Sequence, residues 1–371
     1  MRDPLLLPID EVVVRLDGFD AIVDARSPSE FAEDHLPGAL SAPVLDDAQR
    51  AQVGTIHKQH SAFEARRVGA AIVARNIGSL IERLFSDRPH DWRPLVYCWR
   101  GGNRSGALAT VFARIGWRTS VIDGGYRAFR RRVLDDLARW PAGLSLRVLA
   151  GRTGTGKSLV LQRLAAAGAQ VLDLEAIARH RGSVLGPMPD ASQPSQKGFE
   201  TGLWDAIRRF DPARPVFVES ESRRVGHCHV PDALIAAMRS AHCIRLDAYL
   251  PVRAALLLRE YRHFVDDPAL LFERLERLAP LHGSRQIEAW KTMAEAGRWE
   301  DFVESMLAQH YDPAYDRSMR RNYLRIDEAQ SVDVAGADEA ALDQAARRIL
   351  ELGEPAIALS APRRAPGAPD G

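Results

Sequence analysis

Short apolar runs alternate along this chain with stretches in which apolar residues recur every three or four positions. Ala21-Ile22-Val23-Asp24, Leu95-Val96-Tyr97 and Ser120-Val121-Ile122-Asp123 are short and almost wholly apolar, which predicts strands buried on both faces. Between them the spacing is helical: residues 61–86 carry Val68, Ile72, Ile77, Leu80, Ile81 and Leu84, and Ser105 to Ile115 carries Leu108, Val111 and Phe112. The second half repeats the alternation. Leu146 to Ala150 predicts a strand and Lys157 to about Gly168 a helix. Val171-Leu172-Asp173-Leu174-Glu175 predicts a strand entering a helix, residues around Leu203–Ile207 a helix, and Pro215-Val216-Phe217-Val218 a strand ending at Glu219. This order predicts an α/β fold with parallel sheets. Residues 252–264, 268–279, 285–297 and 299–311 predict helices, with Tyr311-Asp312-Pro313-Ala314-Tyr315 breaking the last. Leu324-Arg325-Ile326 predicts a strand returning to the sheet, and Ala340 to Leu352 a final helix. Trp140-Pro141-Ala142-Gly143 predicts a linker, giving domains at 1–140 and 144–352 and a disordered Ala/Pro/Arg/Gly tail at 355–371.

Composition narrows this picture only a little. With 371 residues, 46% hydrophobic and 27% charged, the chain has the makeup of a soluble protein of about two domains. A net charge of +1 gives no global field for nucleic acid, so any such contact must come from local patches. The three cysteines, Cys98, Cys228 and Cys243, form neither a disulfide framework nor a zinc pattern. No apolar run is long enough for a membrane span and no signal peptide leads the chain, so a cytoplasmic location is expected. Only Lys58, Lys157, Lys197 and Lys291 are lysine among 50 basic residues. In so arginine-rich a chain, a retained lysine points to a site that wants a compact ammonium.

Two stretches carry chemistry. Gly151-Arg152-Thr153-Gly154-Thr155-Gly156-Lys157-Ser158 fits G-x-x-x-x-G-K-[ST], between a predicted strand and a predicted helix. Glycines at Gly151, Gly154 and Gly156 let the N–H groups of the loop, Thr153 and Thr155 included, converge on phosphate oxygens at a helix N-terminus. Lys157 adds a point charge, Ser158 is a candidate Mg²⁺ ligand, and Glu219 falls where a second Mg²⁺ ligand or a base would sit. The motif specifies a phosphate or diphosphate and does not by itself specify ATP. The other stretch is Cys98-Trp99-Arg100-Gly101-Gly102-Asn103-Arg104-Ser105, a cysteine at the end of a strand followed by a Gly-rich turn and a helix. Backbone N–H groups around the sulfur, with Arg100 and Arg104, would lower its pKa. A buried cysteine acting as a small hydrophobe is the competing reading. Arg127, Arg130, Arg131 and Arg132, and Arg317, Arg320, Arg321 and Arg325, interleave with Tyr126, Phe129, Tyr315 and Tyr323. Such a pattern suits an RNA backbone with stacked bases, or equally a solvated helix face.

Asp24-Ala25-Arg26, Glu30-Phe31, His35-Leu36-Pro37-Gly38-Ala39, the Cys98 loop and Asp123-Gly124-Gly125-Tyr126 occur in the order of a rhodanese domain, and roughly residues 8–135 resemble that family. Val53-Gly54-Thr55-Ile56-His57-Lys58-Gln59 is not part of a generic rhodanese. Together with His180-Arg181-Gly182-Ser183, Gln193-Pro194-Ser195-Gln196-Lys197, Glu219-Ser220-Glu221-Ser222-Arg223, Tyr311 to Tyr315 and the phosphate loop, it makes about residues 5–350 resemble the tRNA 2-selenouridine synthase family. His57 and Val184-Leu185 depart from that pattern. The resemblance implies a rhodanese-like parallel-sheet domain followed by a P-loop NTPase-like α/β domain with an α-rich C-terminal part. It implies a transferase acting on the wobble 2-thiouridine of a tRNA anticodon loop. Geranyl diphosphate would first give S-geranyl-2-thiouridine, and selenophosphate would then give 2-selenouridine. Cys98 would handle selenium, as a selenosulfide, with Arg100 and Arg104 on the phosphate of selenophosphate. The phosphate loop would hold geranyl diphosphate, with Mg²⁺ at Ser158 and Glu219. Lys58, Arg181, Gln193, Gln196, Lys197 and Arg223 would bind substrate, and a selenophosphate-supplying enzyme would be a partner. Two other readings stay open: an ATP- or GTP-dependent kinase or sulfur-activating enzyme, and a persulfide sensor or RNA-binding module. A guanine-reading N/T-K-x-D motif is not present.

Overall fold

The computed structural model describes residues 3–182, 186 and 192–353. Ser183, the Val184-Leu185 pair and the tail 355–371 lie outside the described residues. The strands are β1 (Leu5–Leu7), β2 (Ala21–Asp24), β3 (Ala39–Ser41), β4 (Pro94–Tyr97), β5 (Ser120–Ile122), β6 (Leu146–Ala150), β7 (Gln170–Leu172), β8 (Val216–Glu219), β9 (Arg224–Val225), β10 (Cys228–His229), β11 (His242–Asp247) and β12 (Gln330–Asp333). They form two parallel five-stranded sheets, β1-β5-β4-β2-β3 and β12-β11-β6-β8-β7, and an antiparallel ribbon of β9 and β10. The α/β class read from the alternation is therefore the class of the fold.

The first compact unit gathers the described residues up to Gly143 with those of Leu174–Arg209 and Glu221–Ile235. Its inner strands β2 and β4 are the apolar runs of the sequence, and every residue of β4 is buried. The outer strands have no such signal: β3 has no buried residue and β1 has only Leu7. The helix Asp47–Gln59 also has no buried residue, which is why periodicity does not reveal it. Its start is fixed chemically instead, by an Asp46 side chain that accepts the Gln49 N–H at 2.7 Å. The helix Ala62–Leu80 follows and closes in a π turn, Ile81–Phe85.

The Asp24-Ala25-Arg26 motif has a structural use. Arg26 and Asp24 are 1% and 0% exposed, and Arg26 Nη2 lies 2.7 Å from Asp24 Oδ2. The same nitrogen donates to the Asp34 carbonyl at 2.6 Å, and the guanidinium lies 4.0 Å from the Tyr126 ring centroid. Removing one partner of a buried pair strands the other charge, so Arg26→Ala is expected to destabilise the protein by about 3–5 kcal/mol. Arg26→Lys, which lacks the fork, is expected to recover only part of that. Chemical denaturation of the variants checks this, and an unchanged midpoint for Arg26→Ala would contradict it.

The second unit gathers Leu144–Asp173, Phe210–Ser220 and the described residues from Ala236 on. β6, its central strand, runs between β8 and β11, and its core brings Leu149, Val160, Leu164, Leu246, Val332 and Leu342 together. Two expectations are corrected here. The returning strand is β12, not Leu324-Arg325-Ile326. Leu324 is 79% exposed and a 3₁₀ turn, Ile326–Glu328, leads into β12, where only Val332 is buried. Tyr311 to Tyr315 joins helices rather than ending one. A π turn, Leu307–Tyr311, carries Trp299–Met306 into the helix Asp312–Asn322, and Pro313 stands in the first turn, where its missing N–H is harmless.

Candidate functional site

Cys98 directly follows β4, and the chain turns back into the helix Asn103–Ile115. The turn depends on Gly101, at φ +68°, where a Cβ would stand 2.5 Å from the Ile122 carbonyl oxygen. Gly125 packs so closely against it that a Cβ there would strike the Cys98 carbonyl and the Gly101 nitrogen. The N–H of Tyr126 donates to the Cys98 carbonyl at 2.8 Å, and that of Arg127 to the Trp99 carbonyl at 3.1 Å. The separate motifs at 98–105 and 123–126 are thus two halves of one loop structure.

The thiol is 3% exposed, and the Ser105 hydroxyl donates to its sulfur at 3.1 Å. Burial pushes the thiol pKa up. The Ser105 hydroxyl, the N–H groups of Ser105 and Arg100, and the charge of Arg104 outweigh it and hold the pKa below that of an ordinary thiol. Burial raises both Cys228 and Cys243, Cys243 to about 11. Because the folded pKa is lowered, the thiolate is present at lower pH than in a free cysteine. In a Cys228→Ala/Cys243→Ala background, ultraviolet thiolate absorbance is expected to rise at lower pH than for free cysteine. Ser105→Ala is expected to move the rise to higher pH, and an unmoved midpoint would remove Ser105 from this role. Of the two arginines, Arg100 is exposed and contributes its N–H, while the Arg104 side chain grips Glu30 at 2.6 Å.

In the second unit, β6 enters the phosphate loop and the helix Lys157–Ala166 leaves it. Gly154 and Gly156 have φ of +83° and +78°. A Cβ on Gly154 would lie 2.9 Å from Leu257 Cδ1, and one on Gly151 2.6 Å from Thr155 Oγ1. Thr155 donates from Oγ1 to the Arg152 carbonyl at 2.9 Å, and Lys157 Nζ to the Gly151 carbonyl at 2.7 Å. Glu219, 1% exposed, ends β8 in register with Leu149, two residues before the loop begins. Ser158 lies in the first turn of a helix packed against β8. A hydroxyl and a carboxylate on these neighbouring elements are the hard oxygen donors Mg²⁺ takes alongside phosphate oxygens. No group of three or more His, Cys, Asp and Glu able to hold a metal occurs among the described residues.

The loop is braced by residues that no spacing argument reaches. Arg253, 4% exposed, donates from Nε to the Thr153 carbonyl at 2.8 Å and makes a two-pronged contact with Asp312 at 2.9 and 2.5 Å. The Gly151 N–H donates to the Tyr315 hydroxyl at 2.5 Å, and burial raises the Tyr315 pKa to about 12. Arg152 pairs with Asp316 at 2.7 Å. The Tyr311 to Tyr315 stretch was a legible signal for part of this brace, whereas nothing in the sequence marks Arg253.

The remaining candidates fall in the first unit. Lys58 is exposed in the last turn of Asp47–Gln59. Arg181 is half-buried, and its N–H donates to the Gly186 carbonyl at 3.0 Å. Gln193 spends both ends of its amide inside the fold, donating to the Ala178 and Val225 carbonyls and accepting the His227 N–H at 2.9 Å. Gln196 does likewise, donating to the His229 carbonyl at 2.8 Å and accepting the His229 N–H at 2.7 Å. These two amides hold the helix Gln196–Ile207 to the ribbon rather than present a free face. Lys197 pairs with Glu33 at 2.6 Å, and Arg223 with Asp232. The interleaved aromatics Tyr126, Phe129 and Tyr323 are 2%, 0% and 4% exposed, so they are core and not a stacking platform. Arg130 pairs with Glu200 and Arg132 with Asp10 and Asp136, while Arg127, Arg131, Arg317, Arg320 and Arg321 are exposed. No described helix is long and apolar enough to cross a membrane.

Both modules are found in known proteins. Residues 9–132 match the family model of the rhodanese-like domain, and residues 144–270 match that of the tRNA 2-selenouridine synthase AAA domain. The tRNA 2-selenouridine synthase of Alcanivorax borkumensis is 32% identical over 332 residues, covering 81% of this chain and 90% of that protein. That of Marinobacter nauticus is 31% identical over 327 residues, covering 80% and 87%. Among solved structures, the N-terminal domain of a putative ATP/GTP binding protein from Clostridium difficile 630 is similar over 35% of this chain and 98% of that one. It has 28% identity and a TM-score of 0.31. With both modules matched in order and similarity running through nearly the full length of the relatives, the chain belongs to the tRNA 2-selenouridine synthase family.

Proposed function

We propose that this enzyme converts the wobble 2-thiouridine of tRNA to 2-selenouridine in two steps, using geranyl diphosphate and then selenophosphate. In the first, the thiocarbonyl sulfur attacks C1 of the geranyl group, the C1–O bond breaks, and diphosphate leaves with the electron pair. The loop N–H groups and Lys157 stabilise that leaving charge. Mg²⁺ held by Ser158 and Glu219 would supply further charge stabilisation there. The Arg253–Asp312 pair and Tyr315 keep the loop in shape, so little reorganisation accompanies the charge as it develops. In the second step the Cys98 loop handles selenophosphate: its N–H groups favour an anion and its thiol is the one cysteine whose pKa is held down.

The observation that carries this reading is a depressed thiol in an N–H-lined loop accompanying a complete phosphate loop in one chain of this family. The test is nucleoside mass spectrometry of a 2-thiouridine anticodon stem-loop. It would be treated with geranyl diphosphate alone and then with selenophosphate added. A geranyl mass gain followed by a selenium isotope pattern is expected. Unchanged RNA with tight purine-nucleotide binding would favour the nucleotide-dependent reading.

A further inference from the structure

Val53-Gly54-Thr55-Ile56-His57-Lys58-Gln59 lies outside the generic rhodanese pattern and has no chemistry in the reading above. The structure gives it a place. Val53, Gly54 and His57 line a cavity of about 820 Å³ in the first unit, bounded by the helices Asp47–Gln59 and Ala62–Leu80 and by the first turns of Asn103–Ile115. That last helix begins directly after the Cys98 loop, and Gly102, Arg104 and Gly106 belong to the lining. The walls are mainly apolar, built from Leu45, Val53, Val73 and Ala107. Glycine keeps it open: a Cβ added at Gly54 or Gly106 would meet no atom within 4 Å.

The charged side chains in its lining are Arg50, Arg66 and Arg104. Arg104 and Arg50 both reach the rim, but both lie on Glu30, at 2.6 and 3.3 Å. The single Glu30 carboxylate offsets one of those two charges, and the walls away from it are apolar. A partly open, mainly apolar cleft of this volume suits a neutral hydrocarbon. We propose that the cavity receives the geranyl chain of S-geranyl-2-thiouridine during selenation, and that geranylthiol departs from it. The proposal rests on the two-step reading. In the net step a C2–Se bond forms and the C2–S bond breaks with its electron pair on sulfur. The sulfur takes a proton and leaves as geranylthiol. The P–Se bond of selenophosphate breaks, and its phosphoryl group goes to water. Seating the chain beside the Cys98 loop would hold C2 near the selenium donor and make the enzyme select the alkylated base over plain 2-thiouridine.

The experiment compares selenation of two synthetic anticodon stem-loops, one carrying S-geranyl- and one S-dimethylallyl-2-thiouridine, by the full-length chain. Wild type is expected to prefer the geranyl RNA at least tenfold. Gly106→Leu fills the cavity at a helical position that tolerates leucine, and is expected to lose that preference while still selenating the shorter substrate. Gly54→Leu, on the opposite wall, is the second variant should the first fail to fold, as judged by circular dichroism. An unchanged preference in a folded variant, or equal loss on both RNAs, would overturn the proposal. Wild-type selenation without chain-length preference would overturn the cavity assignment alone. Selenation of neither RNA by wild type would overturn the two-step reading and the proposal with it.

Discussion

Cys98→Ala is expected to leave geranyl transfer intact and to reduce selenation by on the order of a thousandfold, the scale on which removing a committed nucleophile acts. The thiol is buried, receives the Ser105 hydroxyl at 3.1 Å and is held below its ordinary pKa in a loop whose geometry depends on Gly101 and Gly125. A cysteine kept only for packing would not be given donors that stabilise its charged form, as Cys228 and Cys243 illustrate by being raised. Alanine removes the sulfur and the Ser105 contact to it, while the Tyr126 and Arg127 N–H bonds that hold the loop are made by backbone atoms and stay. Mass spectrometry of each step, started separately from 2-thiouridine RNA and from S-geranyl-2-thiouridine RNA, reads the two effects. Equal loss of both steps would make Cys98 structural.

Lys157→Ala is expected to have the opposite signature: geranyl transfer falls by about 10²–10³-fold, while selenation of RNA that already carries the geranyl group proceeds. Lys157 is the compact cation of the loop, tied to the Gly151 carbonyl at 2.7 Å and 5.9 Å from the Tyr315 ring centroid. Its work is to meet charge that appears only as diphosphate leaves, so its loss acts on the rate of the first step. Lys157→Arg is expected to restore little, because a planar fork on a longer stem does not fit where a point charge does. This chain keeps lysine at the position although 46 of its 50 basic residues are arginine. If Lys157→Ala instead lowered selenation of geranylated RNA by as much as it lowered geranyl transfer, the assignment of the loop to the first step would fail.

By itself the sequence determined the chemistry-bearing loops and the inner strands that carry them. The residues from Gly151 to Ser158 and from Cys98 to Ser105 are local: each sits within one strand-turn-helix, and its glycines, lysine and cysteine act through neighbours in the chain. β2, β4, β6 and β8 are buried on both faces and so read as unbroken apolar runs. What lies outside that logic had no local signature. The helix Asp47–Gln59 buries nothing, and β1, β3 and β12 are edge strands with a single buried residue or none. Tertiary structure alone decided that Arg253 and Asp312 brace a loop some 100 and 160 residues earlier in the chain. It likewise turned Gln193 and Gln196 inward and put Tyr126 and Phe129 into the core. The physical reason is that a polar or aromatic side chain reads the same whether it faces substrate or the fold. Only the positions of its partners, set by long-range packing, decide which donors and rings are used up in holding the protein together and which are left for the reaction.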